Sequence, residues 1–146
     1  MNEPVTWDVV HFNFGLHDWS DNSSKALAAY EEHVDAVTAI LLEKEASVHV
    51  QYALTTPYMP MEVNASDPII AELNERASAV MTRRGVPVID LYSRVKEKCG
   101  QTYVSCPGFC DSAGPGGTCT FHYTPAGYAW IAQPIVDGIT KLLLNL

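Results

Sequence analysis

Two hydrophobic periods alternate along this chain, and that alternation leaves few architectures open. Trp7 to Phe14 (Trp-Asp-Val-Val-His-Phe-Asn-Phe) is rich in β-branched and aromatic residues and predicts a buried strand. Leu27, Tyr30, Val34, Val37 and Leu41 then recur at spacings of three and four, which places them on one face of a helix with Ser24 as its N-cap. Residues 47–55 predict a second strand. Ser66 is read as the cap of a second helix whose stripe is Ile70, Leu73, Ala77 and Met81, with Gly85 at its end. Val86 to Leu91 predicts a third strand, followed by a brief helix to about Lys98. After a cysteine-rich loop, Thr124 is placed to cap a last helix that turns Ile131, Ile135, Ile139 and Leu142 inward and carries Pro134 as a kink or a lost hydrogen bond.

Strand, helix, strand, helix, strand, long loop, helix predicts an α/β fold, a short parallel sheet in a flavodoxin-like three-layer α/β/α arrangement. At 146 residues this is a single domain, residues 1–146. Ligands of such sheets gather at the carboxyl ends of the strands. Three segments are expected to converge there: the loop from Gly15 to Ser20, the loop from Thr55 to Met61, and the segment leading into His122.

Composition narrows the function classes. The net charge of -8 argues against a nucleic-acid partner, because an acidic surface repels phosphate. The apolar run from Ile139 to Leu146 is too short and interrupted to span a bilayer, and no signal peptide is visible at Met1. Four cysteines, Cys99, Cys106, Cys110 and Cys119, crowd one Gly/Pro/Ser-rich stretch. Disulfides within the 99–119 loop are the favoured reading, in unassigned pairs. Free thiols and a four-cysteine zinc site stay open, the latter weakened by the lack of any Cys-x2-Cys pair. Sequons at Asn22 and Asn64 fit a secreted protein. No cofactor or bound metal is called for.

The chemistry concentrates around His122. A histidine just before a capped helix, at the open end of a sheet, is placed to act as a general base or to pack against the helix start. The segment His122-Tyr123-Thr124-Pro125-Ala126-Gly127-Tyr128 resembles the last block of the SGNH (GDSL-like) hydrolases, in which Asp-x-x-His precedes Thr-Pro-x-Gly-Tyr. Cys119 stands at the Asp position. Gly15-Leu16-His17-Asp18 resembles that family's Gly-x-Asn-Asp block, whose glycine and asparagine help form the oxyanion hole. Here His17 holds the asparagine position, and a neutral imidazole still donates one hydrogen bond. Asn13 is a possible substitute donor.

The resemblance covers nearly all of the chain from Trp7 and implies an acyl esterase or lipase-like hydrolase acting on a small-molecule or carbohydrate ester. The catalytic residue is then His122, with Asn13, Gly15, His17, Asp18 and Cys119 lining the site. The family's Gly-Asp-Ser block, and its serine nucleophile, has no counterpart in the sequence. Nor is there a Gly-x-Ser-x-Gly elbow. Ser20, after the site loop, and a cysteine are the stand-ins considered. Two readings follow: the C-terminal portion of an ester hydrolase (a truncated SGNH fold), or a non-catalytic binding or structural protein on the same scaffold. The family's sheet would also leave the first strand here at an edge, so pairing in a homodimer or with a missing N-terminal segment is expected.

Overall fold

The computed structural model describes residues 6–18, 20–44, 48–57, 67–100 and 105–144. Three parallel strands form one sheet in the order β1 (Val9–Phe12), β2 (His49–Ala53), β3 (Val88–Ile89). Val9 lies opposite His49, Phe12 opposite Tyr52, and Ala53 opposite Ile89. The helices are α1 (Ser24–Lys44), α2 (Asp67–Arg84), α3 (Leu91–Cys99) and α4 (Pro125–Leu144). Among the described residues no helix is long and apolar enough to cross a membrane.

The period of two along β2 sorts the core into layers. Val50, Tyr52 and Leu54 face α1 and α2, packing with Tyr30, Val34, Ile70, Leu73, Ala77 and Met81. Ala53 faces the opposite way, toward Leu91, Val95, Phe109, Tyr123 and Ile131. Each large side chain wholly removed from water here contributes roughly 1.5–3 kcal/mol. Gln51 shares the second face, fully buried, and donates through Nε2 to the Ile135 carbonyl at 3.3 Å. The same nitrogen lies 3.2 Å from His11 Nδ1, so a polar seam joins β1 and β2 to α4.

The strands are shorter than their sequence suggests and α1 begins one residue earlier, and side chains explain why. β1 stops at Phe12 rather than Phe14, because Asn13 Nδ2 takes the Ala53 carbonyl at 2.7 Å and ends the backbone ladder. The cap of α1 is Ser23, not Ser24: its Oγ accepts from Ala26 N at 3.2 Å, and its own N–H is held by Asp21. β3 contracts to Val88–Ile89 because Val86 N bonds back to Met81 O, while Asp90 accepts from Ser93 N at 2.9 Å as the cap of α3. Thr124 caps α4 as expected, accepting from Gly127 N at 3.1 Å. The helix runs through Pro134 as one element, with Ile131 buried and Ile135, Ile139 and Leu142 half-buried. Ser66, the expected cap of α2, and residues 58–61 of the second loop lie outside the described residues.

All four cysteines are consumed in two disulfides, Cys99–Cys106 and Cys110–Cys119. With no thiol left over, the zinc and free-thiol readings of these residues fall. Such cross-links suit an oxidising compartment.

Candidate functional site

β1 runs out into the turn Gly15–Asp18, closed by Asp18 N donating to Gly15 O at 3.2 Å. The preceding carbonyl, of Phe14, is gripped from below. Thr55 Oγ1, Tyr52 Oη and Tyr30 Oη lie 2.7, 3.0 and 3.2 Å from it. Burial raises both phenols above the ordinary tyrosine value, Tyr30 the more, so they remain protonated donors. Gly15 is buried at φ +122°, where a Cβ would sit 3.0 Å from Thr55 Oγ1 and 3.3 Å from Tyr30 Oη. Only a glycine both adopts that backbone and fits that space.

Thr55 is itself fixed. Asn74, buried in α2, accepts from Thr55 N and donates to Thr55 O, each at 2.8 Å. An amide in mid-helix reaching across to a strand end satisfies two backbone groups that would otherwise be orphaned. Asn74 sits among Ile70, Leu73 and Ala77, and a polar residue inside an apolar stripe was the signal for this lock.

The third wall comes from the disulfide loop. Cys110 pairs antiparallel with Tyr123, Asp111 N donates to His122 O at 2.9 Å, and Thr124 N donates to Phe109 O at 2.9 Å. Thr124 Oγ1 binds the Gly108 carbonyl at 2.8 Å, which anchors the start of α4 to the loop. A Cβ on Gly127 would collide with the Phe109 carbonyl, so this motif glycine has a packing reason of its own. The His122 backbone N–H rests on Thr120 Oγ1 at 3.1 Å. Its exposed ring lies beside Phe121, with centroids 4.3 Å apart. Nδ1 is 3.5 Å from Tyr128 Oη.

These segments enclose an open cavity of about 380 Å³. His17 and His122 both line it, so the first and last motifs meet. Leu16, Phe121, Tyr128 and Ile131 give it a mainly carbon wall, and Thr56 brings in the second loop. A largely apolar recess with two imidazoles can hold a small acyl group and offer it a proton acceptor and a donor.

The other candidate residues are placed differently. Asn13 commits its amide to Ala53 O and Thr55 Oγ1. Asp18 and Ser20 border a neighbouring hollow with Tyr30 and His33, apart from His122. Cys119 is buried in its bond to Cys110 and is not part of the cavity wall. Among the described residues no group of three His, Cys, Asp or Glu side chains could hold a metal ion.

Residues 2–130 match the GDSL-like lipase/acylhydrolase family. The fold is similar to that of a lipase/acylhydrolase from Enterococcus faecalis, at 24% identity and TM-score 0.64, over 92% of this chain and 62% of that one. It is similar also to a peptidoglycan O-acetylesterase, at 13% identity and TM-score 0.63, over 95% of this chain and 39% of that one. A third likeness is the aryl esterase of M. smegmatis, at 16% and 0.55, over 92% and 61%. At these identities the structures speak for the fold alone, and the chain spans less than two thirds of each. No curated protein sequence matches significantly.

Proposed function

The chain belongs to the GDSL-like lipase/acylhydrolase family, and from that premise we propose that it carries the histidine side of a carboxylic-ester hydrolase site. The observation that supports this is the shared cavity of His17 and His122. In the proposed reaction His122 takes the proton of a serine hydroxyl as the serine oxygen adds to the ester carbonyl. His17, in the turn after Gly15, donates to the resulting oxyanion. The intermediate collapses, the alcohol leaves with the proton held by His122, and water releases the acid by the same route.

The serine belongs to a Gly-Asp-Ser segment that these 146 residues do not contain. Small acyl esters suit the cavity. The disulfides and sequons support placing the protein outside the cell.

A panel of p-nitrophenyl esters tests the proposal. The chain alone is expected to turn them over hardly faster than buffer. A longer product supplying the Gly-Asp-Ser segment is expected to hydrolyse them until His122→Ala stops it. Strong turnover by the chain alone, abolished by His122→Ala and by one serine substitution, would refute the external nucleophile.

One observation favours a second reading, a non-catalytic binding protein for the same esters. The position where the resembled motif has its acid, Cys119, is locked in a disulfide and cannot ionise. Binding of an acylated sugar without turnover by the longer product would select it.

A further inference from the structure

Deepening the hydrolase reading, on which it rests, we infer that Tyr128 is the positioning residue of His122, its phenol oxygen doing at Nδ1 what the missing acid cannot. A histidine base needs its far nitrogen held, so that the ring keeps one orientation and one tautomer. Cys119, bonded to Cys110, offers no charge for this. The Tyr128 hydroxyl stands 3.5 Å from Nδ1, a separation longer than a full hydrogen bond and of the kind that tightens when a ligand closes the site.

Each ring, though exposed, has an aromatic neighbour. Tyr128 packs edge-on against buried Tyr123, with centroids 5.6 Å apart, and its backbone lies in the capped first turn of α4, Tyr128 N donating to Thr124 O at 2.9 Å. His122 has Phe121 beside it. The phenol therefore cannot swing away without unseating an aromatic pair.

The direction of the bond decides what His122 can do. With Nδ1–H donating to the phenol oxygen, Nε2 keeps its lone pair and is a base. With the phenol donating to Nδ1, Nε2 carries the proton and is only a donor. The base reading requires the first arrangement. A neutral phenol orients the ring but does not balance the charge of an imidazolium as a carboxylate does. Tyr128 thus aims the imidazole without supplying the charge that a carboxylate would.

The test needs no substrate. Long-range proton–nitrogen correlation spectra of the 15N-labelled chain, at a pH where His122 is neutral, report its tautomer. The native chain is expected to favour Nδ1–H. Tyr128→Phe, which keeps the ring and removes the hydroxyl, is expected to move the balance toward Nε2–H with the melting temperature and both disulfides unchanged. Equal tautomer ratios in the two proteins, or a native chain dominated by Nε2–H, would overturn the inference, and the native spectrum alone suffices for the latter. The two readings fail separately. A longer product inert toward esters, with a tautomer that responds to Tyr128, removes the hydrolase and leaves the positioning contact. His122-dependent turnover with an unresponsive tautomer does the reverse.

Discussion

Gly15 and Asn74 hold the turn that carries His17, and each makes a sharp demand on one side chain. Alanine at Gly15 would keep a left-handed backbone at φ +122° and press its Cβ toward Thr55 Oγ1 and Tyr30 Oη. Backbone strain of this kind costs about 1–3 kcal/mol. Gly15→Ala should lower the urea midpoint accordingly and shift the His17 resonances, whereas an unchanged midpoint would show that the turn relaxes freely. Asn74→Ala removes both hydrogen bonds to Thr55 in a buried setting, leaving an N–H and a carbonyl unpaired for a loss on the order of 2–4 kcal/mol. Chemical unfolding measures it. The interrupted apolar stripe marks Asn74, but the partners were not legible from local pattern, because Asn74 and Thr55 are separated by 19 residues and Tyr52 and Phe14 by 38. The segment around His122 was recognisable by resemblance, since Thr124 caps α4 through Gly127 and Gly127 must fit against Phe109, and both needs fix residue types in one short run.

At the scale of elements, order was readable and boundaries were not. Alternating periods two and 3.6 specify which segments bury a face, and that fixes strand, helix and the parallel sheet. Where a ladder stops depends on side chains that replace backbone partners, as Asn13 and Asp90 do, and periodicity does not show that. The seam between the sheet and α4 has a titratable member. Burial lowers the pKa of His11 from its ordinary 6.5, so the unfolded chain binds a proton before the folded one as the solution is acidified. The stability this group contributes is intact above pH 6.5 and is lost as pH falls toward and through the folded value. His11→Gln should flatten that part of the melting-temperature profile, and identical slopes in the two proteins would remove His11 from the account. The segment before α4 depends on its cross-links instead. Replacing Cys110 and Cys119 together with alanine should cost roughly 2–3 kcal/mol of chain-entropy stabilisation in denaturant titrations. It should also broaden the His122 signals, since Cys110 pairs with Tyr123 beside it. Four alkylatable thiols in the native protein would contradict the bonded state outright.

For the molecule as a whole, the exposed rim of the sheet is the feature that most needs a partner. β3, at one edge, is only two residues long and runs directly into α3. β1, at the other, is a run of valine, valine, histidine and phenylalanine that, among the described residues, pairs with β2 on one side only. All four of its residues are half-buried, and the strand is flanked by Trp7 and Phe14, 60% and 43% exposed. An apolar edge strand with open backbone groups is the kind of rim that proteins cover or pair. The lipase/acylhydrolase from Enterococcus faecalis is matched over 62% of its length, so much of that fold has no counterpart in these residues. We therefore expect the chain to pair through β1, with a second copy when purified alone. A two-fold arrangement would join both edges at once. The net charge of -8 on each copy opposes such a contact, so association should strengthen as salt screens the repulsion. Light scattering on a size-exclusion column should give about twice the 16.0 kDa chain mass at micromolar concentration, rising with ionic strength. Trp7→Lys should shift it back toward one chain. A native monomer at every salt concentration, with the β1 amides nonetheless protected from hydrogen exchange, would mean that another part of the same chain covers the edge, and the pairing would be ruled out.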